Sequence, residues 1–170
     1  MPTTNLQPTA FQSPDAVLSG SAVDTPSVTG HAETTTSESA GDSLTKSCRW
    51  HTFQAAPSGQ KTAITLKMTH TSSGALVGPT PTNTFRLQYT LDGGSNWITA
   101  VERLNFTAAQ GPTVFSVGLS VAQNLTLVQA RVLYNVTTVD GADIAVITAT
   151  IAGITLEVVT IQQVSPIVIM

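Results

Sequence analysis

The chain contains 170 residues, a length that fits one ordinary domain with an extension but leaves little for two separate cores. Charged side chains make up 10 % of it, against roughly 25 % in an average soluble protein, and the net charge is −3. The scattered basic residues exclude the clustered positive footprint of a nucleic-acid-binding protein, and the single cysteine, Cys48, excludes a disulfide framework or a multi-cysteine metal site.

Residues 1–45 differ in composition from the rest of the chain, because they contain no Lys or Arg and only one aromatic side chain, Phe11. Such a segment buries too little apolar area to offset the entropy of its own ordering, and its prolines favour extended backbone over helix. It is therefore predicted to be an extended, low-complexity N-terminal arm that becomes ordered against another molecule; a disordered linker is the equal alternative. The side chains expected to contact a partner are Leu6, Phe11, Val17, Leu18 and Val23.

Short β-branched runs separated by Gly, Pro, Asn and Asp begin at residue 46, a pattern typical of all-β proteins. Residues 46–160 are therefore predicted to form a single antiparallel β-sandwich, either immunoglobulin-like or a jelly roll. Alternation of apolar and polar residues along the chain indicates strands with one buried face. The predicted strands are Cys48–Ala55, Thr62–Thr71, Thr84–Leu91, Asn96–Leu104, Thr113–Val121, Leu125–Val136 and Ile144–Thr160.

The octet from Thr90 to Trp97, TLDGGSNW, predicts a hairpin turn, because Gly tolerates positive φ and the Asp92 carboxylate bonds its own backbone. The octet also resembles the Asp-box, a turn that recurs in sialidases and other β-propellers with its aromatic residue packed beneath the hairpin. A propeller needs several copies of this motif and the chain has one, so the resemblance implies no enzymatic activity. Trp97 is accordingly predicted as a core residue more than as a platform for a sugar.

Residues of the catalytic types are present but unclustered. His31, His51 and His70 are about twenty residues apart, without the close spacing that zinc-binding histidines show. No Gly-x-Ser-x-Gly elbow occurs, and Cys48 stands beside Arg49 but has no evident base partner. The sequence therefore predicts a protein that is not an enzyme, with Cys48 as a small core residue.

Turn carboxylates at Asp92, Asp140 and Asp143 are of the kind that gathers calcium in sandwich lectins, but their surroundings are those of ordinary turns. No metal and no cofactor are predicted. If the protein binds carbohydrate, the candidate ligand-binding residues are Trp50, Asp92 and Trp97, two aromatics and a turn carboxylate.

The C-terminal residues 161–170 end in the apolar run IVIM. An apolar terminus frays in water, so this tail is predicted to pack on the domain or on a neighbour. Ile167 and Ile169 are its candidate partner-binding residues.

The stretches SPDAVLSG (13–20), SCRWHTF (47–53), VQARV (128–132) and AGITLEV (152–158) resemble segments of virion structural proteins of tailed bacteriophages. The resemblance implies a capsid decoration, neck or tail component of the virion, a homo-oligomer whose partners are copies of itself and other virion proteins. Neither nucleic acid nor a membrane is expected as a partner, because the basic residues are scattered and the most apolar run, Ile144–Val159, is too short and too interrupted to span a bilayer. It carries over no catalytic residues. The function expected is assembly through the N-terminal arm. The alternative is a carbohydrate-binding module or a receptor-binding fibre domain, and a third is a cell-surface adhesion domain.

Overall fold

A computed structural model describes residues 1–12, 19–21, 27–35, 43–139 and 142–161 of the protein. Within these ranges the chain is nearly all β-structure, with one 3-10 helix, Leu125–Leu127, and no α-helix. No helix there has the length and apolar character needed to cross a membrane. The strands are β1 (Thr3–Leu6), β2 (Pro8–Gln12), β3 (Ser19–Ser21), β4 (Ser27–Thr35), β5 (Ser43–Phe53), β6 (Gln60–Val77), β7 (Thr82–Thr90), β8 (Ile98–Leu104), β9 (Gln110–Leu119), β10 (Gln129–Thr137) and β11 (Ile144–Ile161).

The strands form two antiparallel sheets. One sheet has the order β3-β4-β11-β6-β9, and β1 also pairs with β11. The other sheet has the order β2-β5-β10-β7-β8. Side chains from both sheets are buried in one apolar core, so the architecture is compatible with the β-sandwich that the sequence predicts.

Every one of the seven predicted strands has a counterpart between β5 and β11. The main differences are at the ends, because β5 begins earlier, at Ser43, and β6 continues to Val77. The prediction is wrong for Leu125–Leu127, which form a 3-10 turn instead of the start of a strand. Asn124 explains the difference, since its side-chain oxygen accepts hydrogen bonds from the Thr126 N–H (3.1 Å) and hydroxyl (2.8 Å), which stabilises a turn.

The predicted N-terminal arm is not confirmed. The described strands of this segment pair with the chain's own sheets: β1 and β4 lie along the same edge of β11, and β2 lies along β5. Leu6 is 2 % exposed within the core, and the Phe11 ring lies 5.5 Å from that of Trp50. These two side chains, predicted to contact a partner, therefore pack against the chain itself. Edge pairing satisfies the backbone groups of a segment too polar to order by burial alone.

Several predicted residues lie outside the described ranges. These are Val17, Leu18 and Val23 of the N-terminal segment, Asp140 of the last turn, and Ile167 and Ile169 of the tail.

The core is built by strict alternation along the strands. In β10 and in most of β11 every second side chain is buried, so each strand presents one apolar face inward. The largest fully buried side chains include Trp50, Phe85 and Tyr134, which come from three neighbouring strands of one sheet. Each buried side chain of this size stabilises the fold by about 2–3 kcal/mol.

Two buried polar residues fix the loops between strands. Asn83 donates to the carbonyls of Phe106 (2.9 Å) and Val146 (3.2 Å) and accepts from the Phe106 N–H (2.8 Å). Asp143 accepts from the Thr80 N–H (3.1 Å) and hydroxyl (2.7 Å) and from a third backbone N–H. The carboxylate predicted as a metal-ligand candidate thus holds the β6–β7 connection to the start of β11.

Candidate functional site

A row of polar side chains crosses the outer face of the β2-β5-β10-β7-β8 sheet. The row consists of Gln12, Arg49, Arg131, Gln88 and Thr99, one residue from each strand, and each is the direct cross-strand partner of the next. In β5 and β10 the arginines point outward because they alternate with core residues. Strand order and register thus bring two guanidinium groups together from distant parts of the chain.

Hydrogen bonds connect the row in two parts, one on each side of the contact between Arg49 and Arg131. Arg49 Nη2 donates to the Gln12 carboxamide oxygen. Arg131 Nε donates to Gln88 Oε1 (2.7 Å), and Gln88 Nε2 donates in turn to Thr99 Oγ1 (2.9 Å). The amide side chains therefore hold both arginines by one side of each guanidinium group.

The turn between β7 and β8 borders this row, and it is the hairpin that the sequence predicts. Asp92 accepts hydrogen bonds from the Thr90 hydroxyl (2.6 Å) and from the N–H groups of Ser95 (2.9 Å) and Asn96 (3.0 Å). These bonds, first of all that from Thr90, hold the pKa of Asp92 well below its ordinary value. Gly93 and Gly94 have φ values of 78° and 103°, which only glycine adopts without strain.

Trp97, at the end of this turn, stacks on an arginine. The guanidinium carbon of Arg131 lies 4.1 Å from the centroid of the Trp97 ring, a cation–π contact. Trp97 is half-buried on the outer face, so the prediction of a core residue is wrong. The physical reason is that Arg131 covers the ring face which the core would otherwise have to bury.

Two positive charges face each other at the centre of the row. Like charges on directly opposed residues of antiparallel strands destabilise the pair. No carboxylate of the described residues forms an ion pair with Arg49 or Arg131, in contrast to Arg86 on the same sheet, which pairs with Glu102 at 2.5 Å. Burial, and next the charge of Arg49, lower the pKa of Arg131.

A pocket of about 380 Å³ opens above the two arginines, between the row and the hairpin. Gly94 marks the place where its walls converge. A Cβ atom on Gly94 would lie 3.7 Å from Arg49 Nη1, 3.7 Å from the Trp97 ring and 3.5 Å from Gln129 Oε1. The absence of a side chain at Gly94 therefore keeps the space beside Arg49 and Trp97 open.

Only one of the three ligand-binding residues predicted from the sequence lines this pocket. Trp97 does, whereas Asp92 shapes the turn that carries it. Trp50 is fully buried in the core and presents no ring face to a ligand, which corrects its assignment. The sequence does not indicate Arg49 and Arg131 as site residues, because only the pairing of β5 with β10 makes them neighbours. The one local signal is that each arginine occupies an outward position of an alternating strand.

Metal-ligating and nucleophilic side chains remain dispersed in the structure. Among the described residues, no group of three His, Cys, Asp or Glu side chains stands close enough together to hold a metal ion. Cys48 is buried, as expected for a small core residue, and lies below the pocket.

A scan against protein-family models finds no match for this chain, and a search of curated proteins finds no similar sequence. The likeness to phage virion proteins therefore rests on the sequence stretches quoted above.

Proposed function

We propose that this protein is a non-enzymatic structural component of a tailed-phage particle, built on a jelly-roll sandwich. The observation that supports the proposal is the strand order. β4 pairs with β11, β5 with β10, β6 with β9 and β7 with β8, so the chain runs as one long two-stranded ribbon rolled into two sheets. This winding is that of a jelly roll, an architecture of viral capsid and lectin domains.

The edges of the sheets supply surfaces for assembly. β1, β2 and β3 occupy edge positions, where the same backbone pairing extends to a neighbouring molecule if a strand is exchanged or added. In this proposal the N-terminal segment anchors the protein through such pairing. Its composition suits that role, because an extended segment with few apolar residues does not become ordered by its own burial and gains order on binding.

The opposite edges also carry exposed apolar side chains. Ile98 and Leu104 of β8 are 45 % and 56 % exposed, and Val114 of β9 is 58 % exposed. β8 and β9 end their respective sheets. Apolar side chains on unpaired edges favour contact with other subunits, which supports a protein that occurs in many copies.

The experiment is to follow the protein through particle purification. Lysates from cells that produce the phage encoding this chain are separated on a density gradient, and the protein is quantified by mass spectrometry in each fraction. We expect it to sediment with intact virions at a fixed copy number relative to the major shell protein. Protein found only in particle-free fractions would overturn the proposal.

Carbohydrate binding is the second candidate function, as in a carbohydrate-binding module or receptor-binding fibre domain. The pocket beside Trp97 favours it, because a half-buried aromatic ring next to hydrogen-bonding side chains is a common way to hold a sugar. The two candidates are compatible, since a virion component also contacts the host surface.

A further inference from the structure

We propose that the pocket between Arg49, Arg131 and Trp97 binds an acidic saccharide through its carboxylate or sulfate group. The inference rests on the second candidate function and names the ligand class that this site takes.

The arginines offer unused donors on the pocket side. Arg131 Nε donates to Gln88, and no described residue accepts a hydrogen bond from the Nη atoms of Arg131. Arg49 Nη2 donates to Gln12, while Arg49 Nη1 borders the space that the missing side chain of Gly94 leaves open. Guanidinium groups fixed in this way present paired N–H donors, which match the two oxygens of a carboxylate or a sulfate.

The charge balance of the pocket calls for an anion. The two cross-strand arginines repel each other, and the described residues provide no carboxylate to offset them. A bound anion between them converts that repulsion into two attractive interactions. The site is partly buried, so these interactions are screened less than on an open surface.

The other pocket groups favour a saccharide over a free inorganic anion. Trp97 lines the pocket as a half-buried aromatic residue beside Arg49 and Arg131. A sugar ring gains apolar contact with an indole, whereas a small inorganic anion does not. The pocket, at about 380 Å³, also has room for a ring beside the anionic group. The net charge of −3 disfavours a long polyanion such as nucleic acid.

The test compares acidic sugars with their neutral counterparts in calorimetric titrations. The acidic probes are methyl glucuronide, methyl N-acetylneuraminate glycoside and galactose 3-sulfate; the neutral probes are methyl glucoside and galactose, and sodium sulfate serves as the inorganic probe. We expect the wild type to bind at least one acidic sugar. Arg49→Gln and Arg131→Gln should weaken that binding by about tenfold or more, because a charge-assisted hydrogen bond is lost.

Arg86→Gln is the matched control, since it removes an arginine from the same sheet that already pairs with Glu102. It should leave the affinity unchanged. Melting curves of all three variants show whether they fold. NMR titration of the wild type does not depend on the folding of these variants. An acidic sugar should shift the indole N–H resonance of Trp97 and leave the indole N–H resonance of the buried Trp50 unchanged.

The outcomes separate the inference from the function on which it rests. Equal affinity for neutral and acidic sugars would preserve carbohydrate binding and overturn the acidic ligand. Binding of sodium sulfate alone, or acidic-sugar binding unaffected by both Arg49→Gln and Arg131→Gln, would overturn the saccharide site. Absence of binding by any probe would overturn both.

Discussion

Asn83 joins three separate segments through one buried carboxamide. Its side chain bonds both backbone groups of Phe106 and the carbonyl of Val146, and a Cβ on neighbouring Gly74 would lie 2.6 Å from Asn83 Nδ2. The close approach leaves no room for a side chain at residue 74. Residue 74 must therefore remain glycine for the amide to reach its partners.

Replacing Asn83 with alanine is expected to lower the free energy of unfolding by about 2 kcal/mol or more, because buried backbone groups lose their partners. Asn135→Ala is the control. Asn135 bonds Thr45 on the sheet surface (2.8 Å), so water can replace that contact and the loss should stay below about 1 kcal/mol. Urea denaturation measures both. Equal losses in the two variants would contradict the described role of Asn83.

His70 gives the stability of the protein a pH dependence. The imidazole is fully buried and stacks on Phe85 at 5.5 Å. Burial lowers the pKa of His70 below its ordinary 6.5, and the charge of Arg103 lowers it further. The folded state therefore disfavours the charged imidazole.

The sign of the effect follows from proton uptake. The unfolded chain binds a proton near pH 6.5, whereas the folded chain binds it only at lower pH, so the free energy of unfolding falls as the pH drops below 6.5 toward the folded pKa. His70→Gln should reduce this dependence between about pH 7.5 and pH 5.5 in urea titrations. His51→Gln, at a half-buried position, should reduce it less. A wild-type stability that rises on acidification would contradict the assignment.

At the scale of strands, the prediction from sequence differs most from the structure in the N-terminal segment. Periodic alternation from β5 to β11 is a local signal, and it predicted those strands well. β1 to β4 lack that signal. β1 and β4 are ordered by pairing with β11, β2 by pairing with β5 and β3 by pairing with β4, and these neighbours are in place only in the complete fold. The proximity of Arg49 and Arg131 could not be predicted for the same reason, because it depends on the register of β5 with β10 and not on sequence spacing.

Substitution of Leu6 tests whether β1 stabilises its own domain or contacts a partner. Leu6→Ala should lower the free energy of unfolding by about 2–4 kcal/mol, because it leaves a cavity in the apolar core where the Leu6 side chain packs. Leu127→Ala is the matched control at a side chain that is 40 % exposed, and it should cost about 0.5 kcal/mol. If Leu6→Ala leaves the isolated protein as stable as the wild type, β1 contributes to a partner and not to its own domain.

At the scale of the whole molecule, the pairing of β5 with β10 underlies both the strand order of one sheet and the candidate site. It joins two strands that are far apart in the chain, and it sets Arg49 opposite Arg131. β10 also lies between β5 and β7, so a strand from late in the chain is inserted between two earlier ones. A chain with sequential strand order would keep the all-β composition but would not place Arg49 beside Arg131, and the pocket would be lost.

An engineered disulfide tests that pairing most directly. Thr45 and Asn135 are cross-strand partners, so the double variant Thr45→Cys/Asn135→Cys places two thiols within the bonding range. Thr45→Cys/Thr84→Cys is the control, because Thr84 lies on the far side of β10, about 9.5 Å away across two strand spacings. Intact-mass measurement after mild oxidation should show a disulfide in the first variant and free thiols in the second. Free thiols in the first variant, or a monomeric disulfide in the second, would contradict the strand order.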